Sequence, residues 1–301
     1  MAKSNDTRNL ATALQPIPLK IAATTSWTNQ ETINQLMKPS MLKAYLRVIK
    51  LTFIFTLKQS MTDAFILFGI FVQPLLIAIM ALFILGDQGD GLVIFIVVGS
   101  GLTGLWDSVL FQSGNSITRE RWTGTLEALV GMPTPLAVIV FGKNLAFVTQ
   151  ALASMIVAYT FASIVFGYPL SIESPTLFII SVVMTVLSLV CLGLVLATIF
   201  VLNPDVQRWQ NGLEFPVFIL AGFLFPIAIL PQWTTPLSYI LAPYWAAVAL
   251  HMSSSGKPDI FEISMPWAMM ALLGMLYLFL AFWLFRKMLF KARVDATLSG
   301  Q

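Results

Sequence analysis

The stretch "AFILFGIFVQPLLIAIMALFILG", residues 64–86, runs for twenty-three positions without a charged side chain. A helix of about twenty residues, rising 1.5 Å per residue, crosses a hydrocarbon layer about 30 Å thick, so the run reads as a membrane span. The same window moved outward along the chain gives five more, near 91–112, 144–167, 176–202, 213–231 and 264–285. The composition agrees: 57% of the 301 residues are hydrophobic, 10% are charged, and the mean hydropathy is +0.84. That is more apolar surface than a soluble core of this size buries. The expected fold is an all-α polytopic membrane protein with six transmembrane helices. The start, "MAKSNDTRNLATALQPIPLKIAATTSWTNQ", is polar and lacks the apolar centre and small-residue site of a cleaved secretory signal, so none is expected.

Lys and Arg set the orientation. With the N-terminus inside, sixteen of the seventeen basic residues fall in inside segments and only Lys257 falls outside. The positive-inside rule then places both termini in the cytoplasm and the protein in the plasma (inner) membrane. The net charge of +3 is thereby explained by topology and does not point to nucleic acid.

Residues 1–38, rich in Thr, Asn, Ser and Gln, read as a flexible polar extension. Residues 39–60 come next as an amphipathic interface helix, with Lys43, Arg47 and Lys50 on one face and Leu42, Tyr45, Leu46, Ile49 and Phe53 filling much of the rest. The alternative is that this helix simply prolongs the first span. The membrane domain occupies 61–290 and a cytoplasmic tail 291–301. In the fifth span, Pro216, Gly222, Pro226 and Pro231 rule out one straight helix, and a break is expected near 226–231 on the outer side. The apolar residues beyond it, with Trp233, Tyr239, Tyr244 and Trp245 as interfacial rings, read as short re-entrant helices in the outer leaflet.

One cysteine and one histidine exclude an internal disulfide, a CxxC cluster and an HExxH zinc site. Cys191 reads as a packing residue. His251 reads as a surface or interfacial histidine in a loop, and no nucleophilic triad can be assembled around it. No metal site and no catalytic residue are expected. Nor is there a G-x-x-x-x-G-K-[ST] phosphate loop: Gly142-Lys143 and Gly256-Lys257 are followed by Asn and Pro.

Against this background "ITRERWTGTLEALVGMPTP", residues 117–135, is charged out of proportion. On the expected topology it is a cytoplasmic loop, which explains Arg119 and Arg121. Its second half reads as a short bounded helix near 124–132: Thr123 and Gly124 as starters, Glu127 in the first turn where the helix dipole favours an acid, and Gly131, Pro133 and Pro135 as a stop. Leu126 and Leu129 share one side. Two turns are marginal alone and need a surface to pack on.

These residues resemble the signature of the type 2 ABC transporter permeases. In "RERWTGTLEALVGMPTPLAVIVFGKNL" the matching positions are Arg119, Glu120, Gly124, Thr125, Leu126, Glu127, Thr134, Pro135, Gly142 and Lys143. The segment "AGFLFPIAILPQWTTPLSYILAPYWAAVAL" is similar to the family's fifth-span region, and the resemblance covers roughly 39–290. It implies a permease subunit of an ATP-driven exporter, two permease chains forming a homodimer or heterodimer and docking on two ATPase subunits. ATP and Mg would be bound by the partner ATPase and no cofactor by this chain; membrane lipid surrounds it. The helix near 124–132, within the 117–135 stretch, becomes a coupling helix seated in a groove of the ATPase. Leu126 and Leu129 would be its apolar anchors, with Arg119, Glu120, Arg121, Gly124, Thr125 and Glu127 completing the contact. The implied translocation path lies between the second and fifth spans, at Ser100, Gly104, Asp107, Phe111, Phe215, Phe218 and Phe223. Ser100 and Gly104 also form a small-xxx-small packing pair. Asp107, a carboxylate within a span, must face a polar partner or water, whether its role is functional or structural. Such exporters move drugs, lipids, glycans and other amphiphiles, and an aromatic path with few charges favours a hydrophobic or amphipathic cargo.

The competing reading is a secondary transporter driven by an ion gradient. That chemistry uses several intramembrane acids or histidines, and here only Asp107 and Glu214 are available.

Overall fold

A computed structural model of the chain describes residues 39–85, 90–166, 172–203, 205–256 and 258–294. The expectations for 1–38 and for the end of the tail lie outside the described residues. Two units are distinguished, residues 1–44 and 45–301; the described part of the first is only the opening of helix α1, and the helical bundle belongs to the second.

Among the described residues the protein is entirely helical. Helix α1 (Pro39–Ser60) ends in a turn at 61–63, where the amides of Thr62 and Asp63 fall back on the carbonyls of Gln59 and Ser60. Asp63 Oδ1 then accepts from the Ile66 amide at 3.4 Å and opens α2, the usual service of an N-cap acid. Helix α1 is therefore a separate element and is not continuous with α2. Helix α2 runs Ala64–Leu67, widens into a π turn at Phe68–Val72, and continues as Gln73–Leu85. Helix α3 (Asp90–Asp107) likewise passes into a π turn, Ser108–Ser113. Two short helices, α4 (Thr118–Trp122) and α5 (Leu126–Val130), fill the charged loop. Helix α6 (Leu136–Phe166) starts before the expected 144 and so carries Gly142 and Lys143 within the helix, and α7 (Pro175–Leu202) starts on a proline, which suits the first helical turn. Then come α8 (Val206–Ala221), two 3-10 turns (Ile227–Ile229 and Gln232–Thr234), α9 (Thr235–Ile240), α10 (Ala242–Ser255) and α11 (Ile260–Val294).

Among the described residues, four segments are long and apolar enough to cross a membrane: Val93–Trp122, Leu136–Phe161, Pro175–Leu202 and Ile260–Met288. The first of these is the centre of the bundle, with 94% of its most apolar window buried, against 28% for the last. The outward faces of α7 and α11 carry Ile179, Val183, Leu272, Phe279 and Phe282, an apolar surface of the kind lipid covers.

The segment expected as the fifth span differs from expectation in where it breaks. Helix α8 stops at Ala221, ahead of the prolines, because Gly222 takes a left-handed conformation (φ +66°) and its amide returns to the Ile219 carbonyl at 3.1 Å. A side chain there would be strained, and its Cβ would stand 2.8 Å from Ile227 Cγ2. The break is pinned from two sides. Phe223 O approaches α3 so closely that a Cβ on Gly99 would lie 2.1 Å from it. His251, on α10, donates from Nε2 to the same oxygen at 3.2 Å while its ring stacks on Phe95, centroids 3.6 Å apart. This corrects two expectations: His251 lies in a buried helix and not in a surface loop, and Tyr244 and Trp245 are core residues at 9% and 5% exposure and not interfacial rings. Trp233 and Tyr239 remain exposed. Small residues let α10 in, with Ala242, Ala246, Ala247 and Ala249 all buried between α3, α7 and α11. Its last carbonyls, Ser253 and Ser254, accept from the amides of Ser174 and Glu173 at the start of α7. Cys191 is buried on α7, as a packing residue should be.

Substituting His251→Phe keeps the ring and removes the donor, leaving the Phe223 carbonyl buried and unserved at a cost of about 1–3 kcal/mol. The melting temperature of the purified protein in mild detergent is expected to fall by several degrees; an unchanged value would mean that the break is held by packing alone.

Candidate functional site: a braced elbow and an adjoining polar cavity

The charged loop forms the short helix expected near 124–132, as α5, and adds α4 ahead of it. It folds as an elbow, α4 then α5, joined by the turn Thr123–Gly124–Thr125 with Gly124 left-handed (φ +71°). Glu120 is its keystone. The carboxylate receives Lys143 Nζ from α6 on one oxygen and the Thr125 hydroxyl on the other, and its own carbonyl accepts the Thr125 amide at 3.0 Å. The Glu120–Lys143 pair is largely shielded, with side-chain exposures of 21% and 13%, so it is worth more than a solvated surface pair. Arg121 reaches the other way, its Nη1 donating to the Val201 carbonyl in the last turn of α7 at 3.0 Å. A cation there also suits the negative end of the helix dipole. The elbow is thus tied to α6 and α7 at once.

Leu126 corrects the expected contact. It is 3% exposed and packs inward on Ile117, Leu136, Val140 and Val201, so it anchors the elbow to its own chain and is not an outward anchor. Leu129 is half-buried beside the same cluster. The free face of the elbow consists of Trp122, Thr123, Gly124, Thr125, Glu127, Ala128 and Met132, with Trp122 68% exposed.

Arg119, one residue before Glu120, lines a cavity of about 370 Å³. The π turns of α2 and α3 form two of its walls, through Phe68, Gly69, Ser108, Phe111 and Gln112, and the first half of α8 forms the third, through Gln207, Asn211 and Glu214. Asp107, 7% exposed, takes a 2.8 Å hydrogen bond from Gln73 Nε2 on Oδ2. The π turn of α3 leaves the Leu110 carbonyl to be served by a side chain, and Gln210 Nε2 on α8 does so at 3.0 Å.

The expected path residues are divided by this geometry. Asp107 and Phe111 meet at the cavity, together with Glu214 and Arg119. Ser100 and Gly104 are inside the packing: Ser100 is fully buried, its hydroxyl spent on the Val97 carbonyl, and a Cβ on Gly104 would stand 2.7 Å from Pro74 and 2.8 Å from Ser154. Phe223, 1% exposed, is core and not path. Phe218 lies between Phe215 and Phe223, and Phe215 is 62% exposed. Sequence reasoning missed Gln73, Gln112, Asn115, Gln207 and Asn211 as cavity residues. A signal existed: Gln112, Asn115 and Arg119 recur at helical spacing, as do Gln207, Asn211 and Glu214.

A family model described as ABC-2 type transporter matches residues 47–253, more than half of the chain, and takes in the elbow, the cavity and the broken α8. The chain belongs to the ABC-2 type transporter family. No match was found among curated proteins. As an ABC-2 permease it is a membrane component of an ABC transporter, without an ATPase site of its own, in a family that works with an ABC ATPase.

In this permease Lys143→Met should strand the shielded Glu120 carboxylate and loosen the elbow at a cost of about 2 kcal/mol. Limited trypsin digestion in detergent is expected to cut after Arg119 or Arg121 several-fold faster than in the unaltered protein; an equal cutting rate would show that Leu126 alone holds the elbow.

Proposed function

We propose that the chain is the membrane half of an ATP-driven exporter that pairs with a second permease chain and docks on two cytoplasmic ATPase subunits. It crosses the plasma (inner) membrane six times, the pinned and interrupted α8 counting as the fifth crossing, with both termini and the elbow on the cytoplasmic side. Helix α1, which carries exposed Leu46, Leu51 and Phe55 beside Arg47 and Lys50, lies along the inner surface and adds a second contact with the ATPase. ATP and Mg are bound by the partner, and the cargo is hydrophobic or amphipathic.

The observation that carries this reading is the construction of the elbow. A loop that merely joins two spans has no need of a shielded ion pair to α6, a cap on α7 and a buried leucine beneath it. A loop that receives a push does, because force applied at Trp122, Glu127 and Met132 must reach the spans without being lost in bending. ATPase closure would then move the elbow as a rigid body and tilt α3, α6 and α7 together, exposing the path to alternate sides.

The test is co-purification of the tagged permease from membranes in mild detergent, which should bring down a soluble ATP-binding chain in equal amount together with ATPase activity. Recovery of the permease alone under conditions that preserve complexes would sink the exporter reading. Within the complex, Glu127→Lys reverses the one acidic charge on the exposed face of α5 and is expected to slow ATP-driven transport at least tenfold while leaving membrane insertion unchanged. Transport at the unaltered rate would remove Glu127 from the contact.

A further inference from the structure

Helix α1 is seated on the bundle by one side only. There a Cβ on Gly142 of α6 would stand 2.9 Å from the Ile49 carbonyl oxygen and 3.1 Å from Thr52 Cβ, and about three turns further on the Ser60 hydroxyl donates to Gln150 Oε1 at 2.5 Å. Thr56 and Ser60 are buried on that side. The other side carries Arg47, Lys50 and Lys58, all exposed, among Leu46, Leu51, Ile54 and Phe55, at 57%, 60%, 39% and 66% exposure. At about 100° per residue the three cations fall in a sector about 80° wide with Ile54 at its middle, and Leu46, Leu51 and Phe55 lie within about 100° of it. Charge and apolar surface are therefore mixed on one face instead of being set on opposite faces. No Asp or Glu occurs from residue 39 to residue 62 to balance the cations. Further along the chain, α2 exposes Val72, Leu76 and Met80 at intervals of four with no charged residue among them, a stripe suited to hydrocarbon.

Water is a poor neighbour for those four apolar side chains, and hydrocarbon is a poor one for three cations. The headgroup boundary suits both, because Lys and Arg lay their stems along acyl chains and bring their charged tips to the phosphates. Uncompensated cations then distinguish between headgroups: phosphatidylcholine brings its own ammonium to each phosphate, and phosphatidylglycerol does not. We propose that the exposed side of α1 binds anionic phospholipid of the cytoplasmic leaflet, with Arg47, Lys50 and Lys58 on headgroup phosphates and Leu46, Leu51, Ile54 and Phe55 among the upper acyl carbons. The inference rests on the exporter reading only for placing α1 at the inner surface; it needs neither the ATPase nor export. Gly142 immediately precedes Lys143, so the lipid-held helix bears on the turn of α6 that clamps Glu120 of the elbow.

The test uses the full permease, without ATPase, in lipid nanodiscs. Leu51→Cys in a Cys191→Ala background takes a bimane label, and its quenching by 5-doxyl phosphatidylglycerol is compared with quenching by 5-doxyl phosphatidylcholine at equal mole fraction. Phosphatidylglycerol is expected to bind at least threefold better by this measure. The preference should vanish in the triple variant Arg47→Gln, Lys50→Gln, Lys58→Gln, fall at least twofold in about 1 M sodium chloride, and survive Arg286→Gln on α11. Equal quenching by the two lipids, or a preference that survives the triple variant, would overturn the proposal. If the triple variant does not insert, the salt series decides, and a preference indifferent to salt overturns it equally. Glycerol phosphate should leave the quenching unchanged; if it abolishes the preference, the face takes a soluble phosphate and the lipid assignment falls. Shielding of the bimane by added ATPase, with no preference between lipids, gives the face to the ATPase and overturns the proposal as well. Co-purification of an ATPase is scored separately. Lipid preference without any ATPase partner sinks the exporter reading alone, whereas an ATPase partner without lipid preference sinks this surface alone.

Discussion

The hydrogen bond from His251 Nε2 to the Phe223 carbonyl holds the place where helix α8 stops. In hydrocarbon, backbone groups freed by a helix end have no water to turn to, so irregular backbone at that depth must be buried in protein. Helix α10 is the protein that buries it. Its alanines bring it close to α3, α7 and α11, its histidine meets the carbonyl, and its own last carbonyls are met by amides at the start of α7. Gly99 on α3 completes the junction by leaving room for the same oxygen. One sequence feature, Gly222 in the left-handed region, thus requires three others far away in the chain.

The same logic of service by side chains governs the other end of α8. There the π turn of α3 releases the Leu110 carbonyl, and Gln210 takes it. The helix is pinned to α3 at both ends, by a glutamine near its start and by the His251 junction past its end. Between those pins its polar face, Gln207, Asn211 and Glu214, closes the cavity. Pinning is what makes a cavity wall out of a helix of only 16 residues carrying an internal proline.

Much of this is legible in the sequence, and the parts that are not share a cause. Long apolar runs mark the spans of α3, α7 and α11, and the proline-rich fifth segment announces an interrupted helix, because composition and period act locally. The break itself lies several residues before the prolines that suggest it, since those prolines are tolerated in the 3-10 turns and the left-handed glycine stops the helix first. Leu126 and Leu129 share one side of α5, and no local pattern tells whether that side meets a partner or the chain's own bundle; Leu126 is buried in the cluster with Leu136 and Val140. Ser100, Gly104 and Phe223 cannot be told from cavity residues by type alone. Their neighbours Pro74, Ser154 and His251 come from other helices, and no local pattern reports such pairings. Gln73 is invisible for the opposite reason: one amide in an otherwise apolar run carries meaning only when Asp107 is found opposite it.

Elbow and cavity are joined by the order of residues on α3 and α4, and that order has a mechanical consequence. Asp107, Phe111, Asn115 and Arg119 descend one side at intervals of four and reach the loop, where Glu120 clamps Lys143 and Arg121 holds Val201. The α3 side of the cavity therefore ends in an elbow that is tied to both α6 and α7, while the α8 side packs on α3, α9 and α10. A displacement entering at the elbow is carried into α3, α6 and α7 directly, and it reaches α8 through contacts that include the Gln210 and His251 bonds. On α8, Trp209, Phe215 and Ile219 form an exposed apolar face. Whatever covers that face, lipid or a second permease, bears on the cavity through a single helix.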